Sequence, residues 1–233
     1  MSERHIVALG GGGFSSEVTG SSLDAFILGL ARRPNPRICF LPTASGDSDT
    51  YVASFYRAFS PAECRPSDLA LFRRTVEDLR SFLLEQDVIY VGGGNTANML
   101  VIWRRHGVDT ILRECWEAGV VLAGISAGAI CWFEAAVTDS FGLQLAALND
   151  GLGFLPGSAC PHYDSEERQR PLYQRLVEEG FPGGSAADEG VGLHFTGTLL
   201  KETVSSRPDG RAYELKLESD RVNERTIAPR LLG

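Results

Sequence analysis

A pentapeptide of the pattern G-x-S-x-G, Gly124-Ile125-Ser126-Ala127-Gly128, joins two apolar runs at residues 120–123 and 129–133. Between a buried strand and a helix, this pattern is typical of a sharp turn that exposes the serine hydroxyl at the carboxyl end of a sheet. The small neighbours permit backbone angles that larger residues resist. We predict that Ser126 is the nucleophile of an acyl transfer, and that a helix over residues 129–133 directs its N–H groups at the oxyanion. The alternative is a Gly-rich turn with an idle serine.

A serine hydroxyl needs a base to become a nucleophile, and the chain has four histidines. His5 opens the first predicted strand, at the end opposite to the carboxyl ends where sites form. His106 ends a predicted helix, where a cation is favourable. His194 alternates within an apolar strand, as a core or surface histidine does. His162 differs, because it closes the small run at residues 158–161 and opens a polar loop, so we predict that it is the base.

The base needs an acid to orient it, and the tripeptide Asp188-Glu189-Gly190 offers two neighbouring carboxylates at another strand end. One of the two is expected to orient His162. Two solvated turn acids are the alternative. A metal site of His162 with Asp164 lacks further ligands at recognisable spacing, so no metal is expected.

Two clusters of glycines follow predicted strands, at residues 10–13 and 92–94. In the second cluster, an N–H from Gly93 or Gly94 could pair with the Ala127 N–H as a two-donor oxyanion hole. Phosphate binding is disfavoured there, because no lysine follows as in a P-loop. The first cluster lacks the third glycine of a dinucleotide fingerprint.

The elements that must position these groups are strands alternating with helices. Near-continuous apolar strands of this kind predict a mostly parallel sheet covered by helices on both faces, which is a three-layer α/β/α fold. Later runs between residues 191 and 217 are punctuated by Gly, Thr and Ser and predict antiparallel hairpins. The predicted strands are residues 5–9, 37–41, 69–72, 88–91, 120–123, 191–195 and 212–217, and the predicted helices are residues 23–31, 51–59, 76–84, 96–104 and 108–118.

Composition limits the class of protein. The 233 residues, 43% hydrophobic and 22% charged, predict one globular domain over residues 1–233. A net charge of −8 argues against binding to nucleic acid or to anionic membranes. There is no apolar stretch near the roughly 20 residues that span a bilayer, and no leader pattern, so we expect a cytoplasmic protein. The five cysteines show no C-x-x-C pairing and indicate neither disulfides nor a zinc site.

Several of these patches, in their order along the chain, resemble the peptidase E family. The patches are residues 91–96 (VGGGNT), residues 124–129 (GISAGA), Pro161-His162, and Asp188-Glu189-Gly190 ahead of a short strand. Ordinary α/β-hydrolases place the acid before the histidine, whereas here it follows. The resemblance extends over roughly residues 37–197 and implies a fold similar to that of class I glutamine amidotransferases.

The resemblance also implies roles for individual residues. It implies a Ser-His-Glu triad of Ser126, His162 and Glu189, which selects Glu189 over Asp188, and it assigns the oxyanion hole to Gly94 and Ala127. No metal or organic cofactor is then required. Predicted substrate contacts are Gly93, Asn95, Thr96, Arg168 and Arg170.

The expected activity is that of a serine exopeptidase acting on short peptides from the N-terminal side. Aspartyl dipeptidases of this family bind an N-terminal Asp through a basic residue after the histidine. Arg168 or Arg170 could serve here, but Glu166 and Glu167 would weaken the attraction for a carboxylate. We therefore predict a broad dipeptidase or aminopeptidase, with a strict Asp-X dipeptidase as the alternative and a cyanophycinase-like hydrolase ranked third because the chain is short.

Two alternatives come from other classes of protein. One is a catalytically inactive amidotransferase-like domain that binds a ligand or partner, and the other is a nucleotide-binding Rossmann-like module. The sequence does not fix the oligomeric state, although a homodimer could narrow the cleft of so small an exopeptidase.

Overall fold

The computed structural model describes residues 3–16, 21–59, 63–164, 169–219 and 221–233. Helices α1 to α7 span Ser22–Gly29, Asp49–Ala58, Leu79–Leu84, Thr96–His106, Val108–Ala118, Ala127–Ile130 and Gln169–Glu178. Strands β1 to β5 span His5–Leu9, Arg37–Leu41, Arg65–Asp68, Val88–Val91 and Val121–Ile125. Strands β6 to β14 span Phe133–Thr138, Ala146–Leu148, Leu155–Cys160, Gly184–Ala187, Val191–Thr196, Leu199–Ser205, Ala212–Glu218, Arg221–Ile227 and Arg230–Leu231.

The main sheet has eight strands in the order β14-β11-β10-β1-β5-β4-β2-β3. Strand β10 runs antiparallel to both of its neighbours, whereas every other pairing in this sheet is parallel. The carboxyl ends of β1, β5 and β4 therefore meet at one edge. That edge receives the glycine cluster 10–13, the serine turn and the glycine cluster 92–94.

Helices cover both faces of the main sheet, and the alternation of side chains along each strand explains why. On β1, Val7 and Leu9 pack into a cluster with side chains from α1 and α2, while Ile6 and Ala8 pack into another with side chains from α3 to α6. Because both faces are buried, these strands read as unbroken apolar runs rather than as alternating ones. The predicted three-layer α/β/α arrangement with a mostly parallel central sheet is confirmed.

A second sheet of six strands, in the order β13-β12-β9-β8-β6-β7, packs against α7 through a cluster rich in tyrosine. Strands β8 and β9 are parallel neighbours, with Ser158 opposite Gly184 and Cys160 opposite Ala186. Their carboxyl ends consequently deliver the segments 161–164 and 188–190 side by side. The antiparallel hairpins expected near the C-terminus are β10–β11 in the main sheet and β12–β13 in the second sheet.

Two predicted elements are wrong. The strand expected at residues 69–72 is instead β3 at Arg65–Asp68, a half-covered edge strand whose polar sequence gives no apolar run. Leu69 and Leu71 are buried, but as loop residues. The helix expected at residues 129–133 is the single turn α6, after which the chain enters β6.

No helix in the described ranges combines the length and the apolar character needed to cross a lipid bilayer.

A buried histidine pair connects the N-terminal strand to the C-terminal strands, at the amino end of β1. The Nδ1 atom of His5 lies 3.1 Å from the Nε2 atom of His194, and His194 Nδ1 lies 3.4 Å from the carboxylate of Glu202. Glu202 in turn accepts from Arg230 on β14. Burial lowers the pKa of both imidazoles, most of all through loss of hydration. His5 and His194 are therefore neutral core residues.

We predict that this pair makes stability fall in mild acid. Below the ordinary histidine pKa of about 6.5, these two imidazoles bind fewer protons in the folded protein than in the unfolded chain. Their contribution to the free energy of unfolding therefore decreases as the pH drops below that value, by at most about 1.4 kcal/mol per pH unit for each histidine. Urea unfolding of wild type and of His194→Leu between pH 5 and 8 measures this. The Leu variant should show a shallower loss.

The comparison between variants is needed because Asp188 acts in the opposite direction. Burial, and then the charge of Asp164, raise the pKa of Asp188 to about 6, so its contribution to stability declines as the pH rises from about 4 to 6. Subtracting the two unfolding profiles cancels that term. Identical pH profiles in wild type and His194→Leu would contradict the prediction.

Candidate active site

Ser126 occupies the turn between β5 and α6 with φ 53° and ψ −112°, a backbone conformation that L-residues rarely adopt. The flanking glycines are required by close backbone approach. A Cβ at Gly124 would collide with the carbonyl oxygen of Gly128, and a Cβ at Gly128 would collide with that of Val91. The turn therefore exposes the Ser126 side chain at the carboxyl edge of the main sheet.

Helix α6 is one turn long, so it carries only a small macrodipole. The helix expected over residues 129–133 to direct its N–H groups at the oxyanion is instead this single turn, which begins two residues earlier. What the turn does supply is the Ala127 N–H, which opens the helix and has no acceptor within it.

In the second glycine cluster, the two candidate oxyanion donors, the N–H groups of Gly93 and Gly94, differ in their hydrogen bonding. The Gly93 N–H donates to the Tyr51 hydroxyl at 3.2 Å and is thus engaged. Gly94 has φ 138°, and a Cβ there would collide with the carbonyl oxygen of Ala44. Among the described residues no acceptor faces the N–H of Gly94 or that of Ala127, and both residues line the same cavity. These two N–H groups are available to an oxyanion.

His162 follows β8 and also has a positive φ, of 50°. Its N–H donates to the carbonyl oxygen of Gly10 at 2.9 Å. From α7, the side-chain amide nitrogen of Gln169 donates to the carbonyl oxygens of Pro161 and His162. The strained peptide is thereby held from both sides, and this fixes the direction of the imidazole.

Glu189, and not Asp188, contacts the imidazole. The Nδ1 atom of His162 and the Oε1 atom of Glu189 form a short hydrogen bond, with the two side chains 25% and 33% exposed. Asp188 is buried, and it accepts the Arg211 N–H at 2.9 Å instead. The structure brings the predicted base and one of its two candidate orienting acids together.

Three consecutive backbone carbonyls at the end of β1 hold the three segments of the site. Leu9 accepts the Ser126 N–H at 3.1 Å, Gly10 accepts the His162 N–H at 2.9 Å, and Gly11 accepts the Gly190 N–H at 3.3 Å. A Cβ at Gly11 would overlap the carboxylate of Glu189. The glycine cluster 10–13 is thus a scaffold for the site, a role that the sequence did not indicate.

A cavity of about 190 Å³ joins these groups. It is lined by Gly94, Thr96, Ser126, Ala127, Ile130, Val137, Thr138, Asp139, Leu145, Pro161, His162 and Gln169. Asp139 and His162 are the titratable members of this lining. The serine and the histidine, distant in sequence, therefore face one shared space.

Gly93, Asn95 and Thr96 are three of the five predicted substrate contacts. Thr96 lines the cavity, and Gly93 lies behind Ser126. The Asn95 side chain is used within the fold, since it accepts the Asn98 N–H and donates to the Ser140 carbonyl oxygen.

Of the two predicted arginines, Arg170 is described and does not line the cavity. Arg170 pairs with Glu224, and its guanidinium lies 5.0 Å from the centre of the Tyr213 ring. Arg168 lies outside the described residues.

Asp139 and Gln169 are among the cavity residues that were not predicted from the sequence. Asp139 follows an ordinary apolar strand, and Gln169 follows a polar segment of the sequence, so neither belongs to a recognisable motif.

In the described ranges no three His, Cys, Asp or Glu side chains are placed to hold a metal ion.

Comparisons with known proteins point to one family. The model of the family described as "Peptidase family S51" matches residues 6–203. The "Uncharacterized peptidase YgaJ" of Bacillus subtilis (strain 168) is 53% identical over 99% of this chain and 100% of its own. "Peptidase E" of Pasteurella multocida (strain Pm70) is 27% identical over 72% of this chain and 75% of its own. The crystal structure of a peptidase from an acI-B1 Actinobacterium has a TM-score of 0.66 at 18% identity, covering 97% of both chains, and it supports the class I glutamine amidotransferase-like fold.

Replacing Gly11 with Ala tests the role of the first glycine cluster. The new methyl group displaces the Glu189 carboxylate, which is the end of a flexible side chain, so we expect little loss of stability. The imidazole loses its orienting acid, and the rate at which a fluorophosphonate modifies Ser126 should fall at least about 100-fold. Intact-protein mass spectrometry measures the rate. Gly29→Ala is the control, because a methyl group at that position would have no neighbouring atom within 4 Å, and a wild-type rate in Gly11→Ala would refute the assignment.

Proposed function

The chain belongs to peptidase family S51, the peptidase E family, and from that premise we propose that it is a serine exopeptidase acting through Ser126, His162 and Glu189. Serine-type peptidase activity follows from the family. The triad and the removal of residues from the N-terminal side of short peptides are the proposal.

One observation carries it: Ser126 and His162 line one cavity while the far nitrogen of the imidazole is bound by Glu189. A carboxylate on Nδ1 keeps the proton there, so Nε2 is the unprotonated nitrogen that can act as a base. An inactive binding domain would have no need of this arrangement. A nucleotide-binding module would need a phosphate-binding loop, whereas both glycine clusters are engaged in the geometry of the site.

The proposed reaction is a two-step acyl transfer. His162 takes the Ser126 proton as Oγ bonds to the scissile carbonyl carbon, and the oxyanion accepts from the N–H groups of Gly94 and Ala127. His162 then gives the proton to the leaving amine, and the C–N bond breaks. Water, deprotonated by His162, attacks the carbonyl carbon of the acyl-enzyme. The bond between that carbon and Ser126 Oγ then breaks as His162 returns the proton to Oγ, which releases the carboxylate product and restores Ser126.

The small cavity and its charge support action at a free N-terminus. A volume of about 190 Å³ is below the roughly 300–1,000 Å³ of pockets for larger ligands, so it suits a short peptide segment. Asp139, an exposed residue, is one of the lining residues, and no ion pair to Asp139 forms within the described part of the chain. A substrate ammonium group would provide that partner, since charge-assisted hydrogen bonds are the stronger ones.

The same lining supports a broad preference rather than strict cleavage after Asp. No described lining residue is an arginine or a lysine, and Arg170 is neutralised by Glu224. An Asp side chain entering this cavity would meet Asp139 without a compensating cation among the described lining residues, which is unfavourable.

Digestion of a dipeptide and tripeptide library tests the proposed nucleophile. Wild type should release products from peptides with varied N-terminal residues, and Ser126→Ala should lose turnover on the order of 10⁶-fold, because removal of a triad nucleophile leaves only binding and oxyanion stabilisation. Mass spectrometry identifies the products. Equal activity in Ser126→Ala would refute the assignment, and Asp-X products alone would refute the broad preference.

Asp139→Asn tests the proposed recognition of the amine. Loss of a charged hydrogen bond should raise KM about 10-fold for free peptides, with a smaller change in kcat, while N-acetylated peptides should be poor substrates of wild type. Steady-state kinetics on matched free and acetylated peptides measures this. Glu178→Gln, an exposed carboxylate on α7, is the control. Equal cleavage of free and N-acetylated peptides would contradict the proposed exopeptidase activity, although the protein would still be a peptidase.

A further inference from the structure

Asp164 lies two residues beyond His162 and contacts the backbone of Glu189 rather than either reacting side chain. Its Oδ1 atom accepts the Glu189 N–H at 2.9 Å, and its Oδ2 atom pairs with the Arg207 guanidinium. We propose that Asp164 and Arg207 are positioning residues that keep the Glu189 carboxylate on His162. The inference rests on the proposed function of that pair.

The need for such a fixture follows from the exposure of the pair. The side chains of His162 and Glu189 are 25% and 33% exposed, so water competes for both of them. Glutamate also has three side-chain torsions, and holding them in one rotamer costs conformational entropy. Fixing the Glu189 peptide group restricts the positions that the Glu189 carboxylate can reach, and this favours its hydrogen bond to the imidazole.

Arg207 is itself held in place at the turn between β11 and β12. Its N–H donates to the Ser205 hydroxyl at 3.1 Å, and that hydroxyl donates to the Arg207 carbonyl oxygen at 2.7 Å. The neighbouring Ser206 N–H donates to the Gly190 carbonyl oxygen at 2.9 Å. The turn therefore contacts the Glu189 segment twice, once through the backbone and once through Asp164.

The charges around this contact explain why an arginine stands there. Asp164, Asp188 and Glu189 bring three carboxylates together, and Arg207 also lies 3.4 Å from Asp209. Without a cation, repulsion from Glu189 and Asp188 would favour release of Asp164 from the Glu189 N–H. Arg207 offsets that repulsion and leaves Oδ1 free to accept.

A matched pair of substitutions separates the contact from the shape of the side chain. Asp164→Asn keeps an oxygen that can accept the Glu189 N–H, whereas Asp164→Leu has similar size and no acceptor. Arg207→Met removes the cation. Arg225→Met is the control, since Arg225 pairs with Glu214 on the same sheet away from the site.

Two measurements are made on each variant. The first is kcat and KM for a dipeptide cleaved by wild type. The second is the downfield proton NMR signal of the imidazole N–H that is bonded to a carboxylate. Glu189→Gln should abolish this signal, and that loss assigns it to the contact between His162 and Glu189. We expect Asp164→Leu to lower kcat on the order of 100-fold at unchanged KM and to lose or shift the signal. Asp164→Asn should keep the signal and most of kcat, Arg207→Met should lie between them, and Arg225→Met should equal wild type.

A double variant shows whether Asp164 acts through Glu189. Adding Asp164→Leu to Glu189→Gln should lower kcat little further, whereas independent effects would multiply. Multiplying effects, or a wild-type kcat and signal in both Asp164→Leu and Arg207→Met, would overturn the proposal. If Asp164→Leu does not fold, Arg207→Met decides alone, and its wild-type behaviour is then the contrary result.

Failure of the proposed function remains distinguishable from failure of this inference. A wild type that cleaves no peptide and is not modified at Ser126 refutes the former. The NMR signal in the variants still decides the latter, because it reports the contact between His162 and Glu189 without requiring turnover.

Discussion

The site depends on hydrogen bonding by three successive carbonyl groups, those of Leu9, Gly10 and Gly11 at the end of β1. Each accepts an N–H from a different segment, and those segments carry Ser126, His162 and Glu189. At Gly10, the close approach of the backbone at Ala187 and Asp188 leaves no room for a Cβ, and Gly11 leaves the space that the Glu189 carboxylate fills. A central strand, buried on both faces, is the most rigid place from which to set this spacing.

The same contacts maintain two unfavourable backbone conformations. Ser126 and His162 both have positive φ, which costs a non-glycine residue of order 1–3 kcal/mol. Hydrogen bonds at each peptide offset this cost. The Ser126 carbonyl oxygen accepts from Ala129 and Ile130, and the His162 carbonyl oxygen accepts from Gln169. Both side chains are thus presented to the cavity by a backbone that could not adopt these angles in isolation.

Charge is distributed unevenly around the site. Carboxylates lie behind the imidazole and at the cavity wall, while the nearby arginines are paired, Arg207 with Asp164 and Arg170 with Glu224. The paired arginines therefore stabilise the protein's own acids, and the proposed recognition of a substrate amine rests on Asp139, which lines the cavity. A charge that the protein already pairs with an opposite charge contributes less to ligand binding than a charge that is not paired.

The local sequence was enough to predict those strands, helices and turns whose formation depends on apolar periodicity and on turn residues. The bounds of β1, β2, β4 and α5, the serine turn and the sheet class all follow from apolar runs and glycines. The one-residue choice of Glu189 over Asp188, which only family resemblance favoured, was made by folding, because adjacent residues in a turn face different neighbours. Folding likewise engaged Gly93, paired Arg170 with Glu224 and gave the first glycine cluster its role. These outcomes depend on contacts between segments up to about 180 residues apart, and no short stretch of sequence contains the partner that decides them.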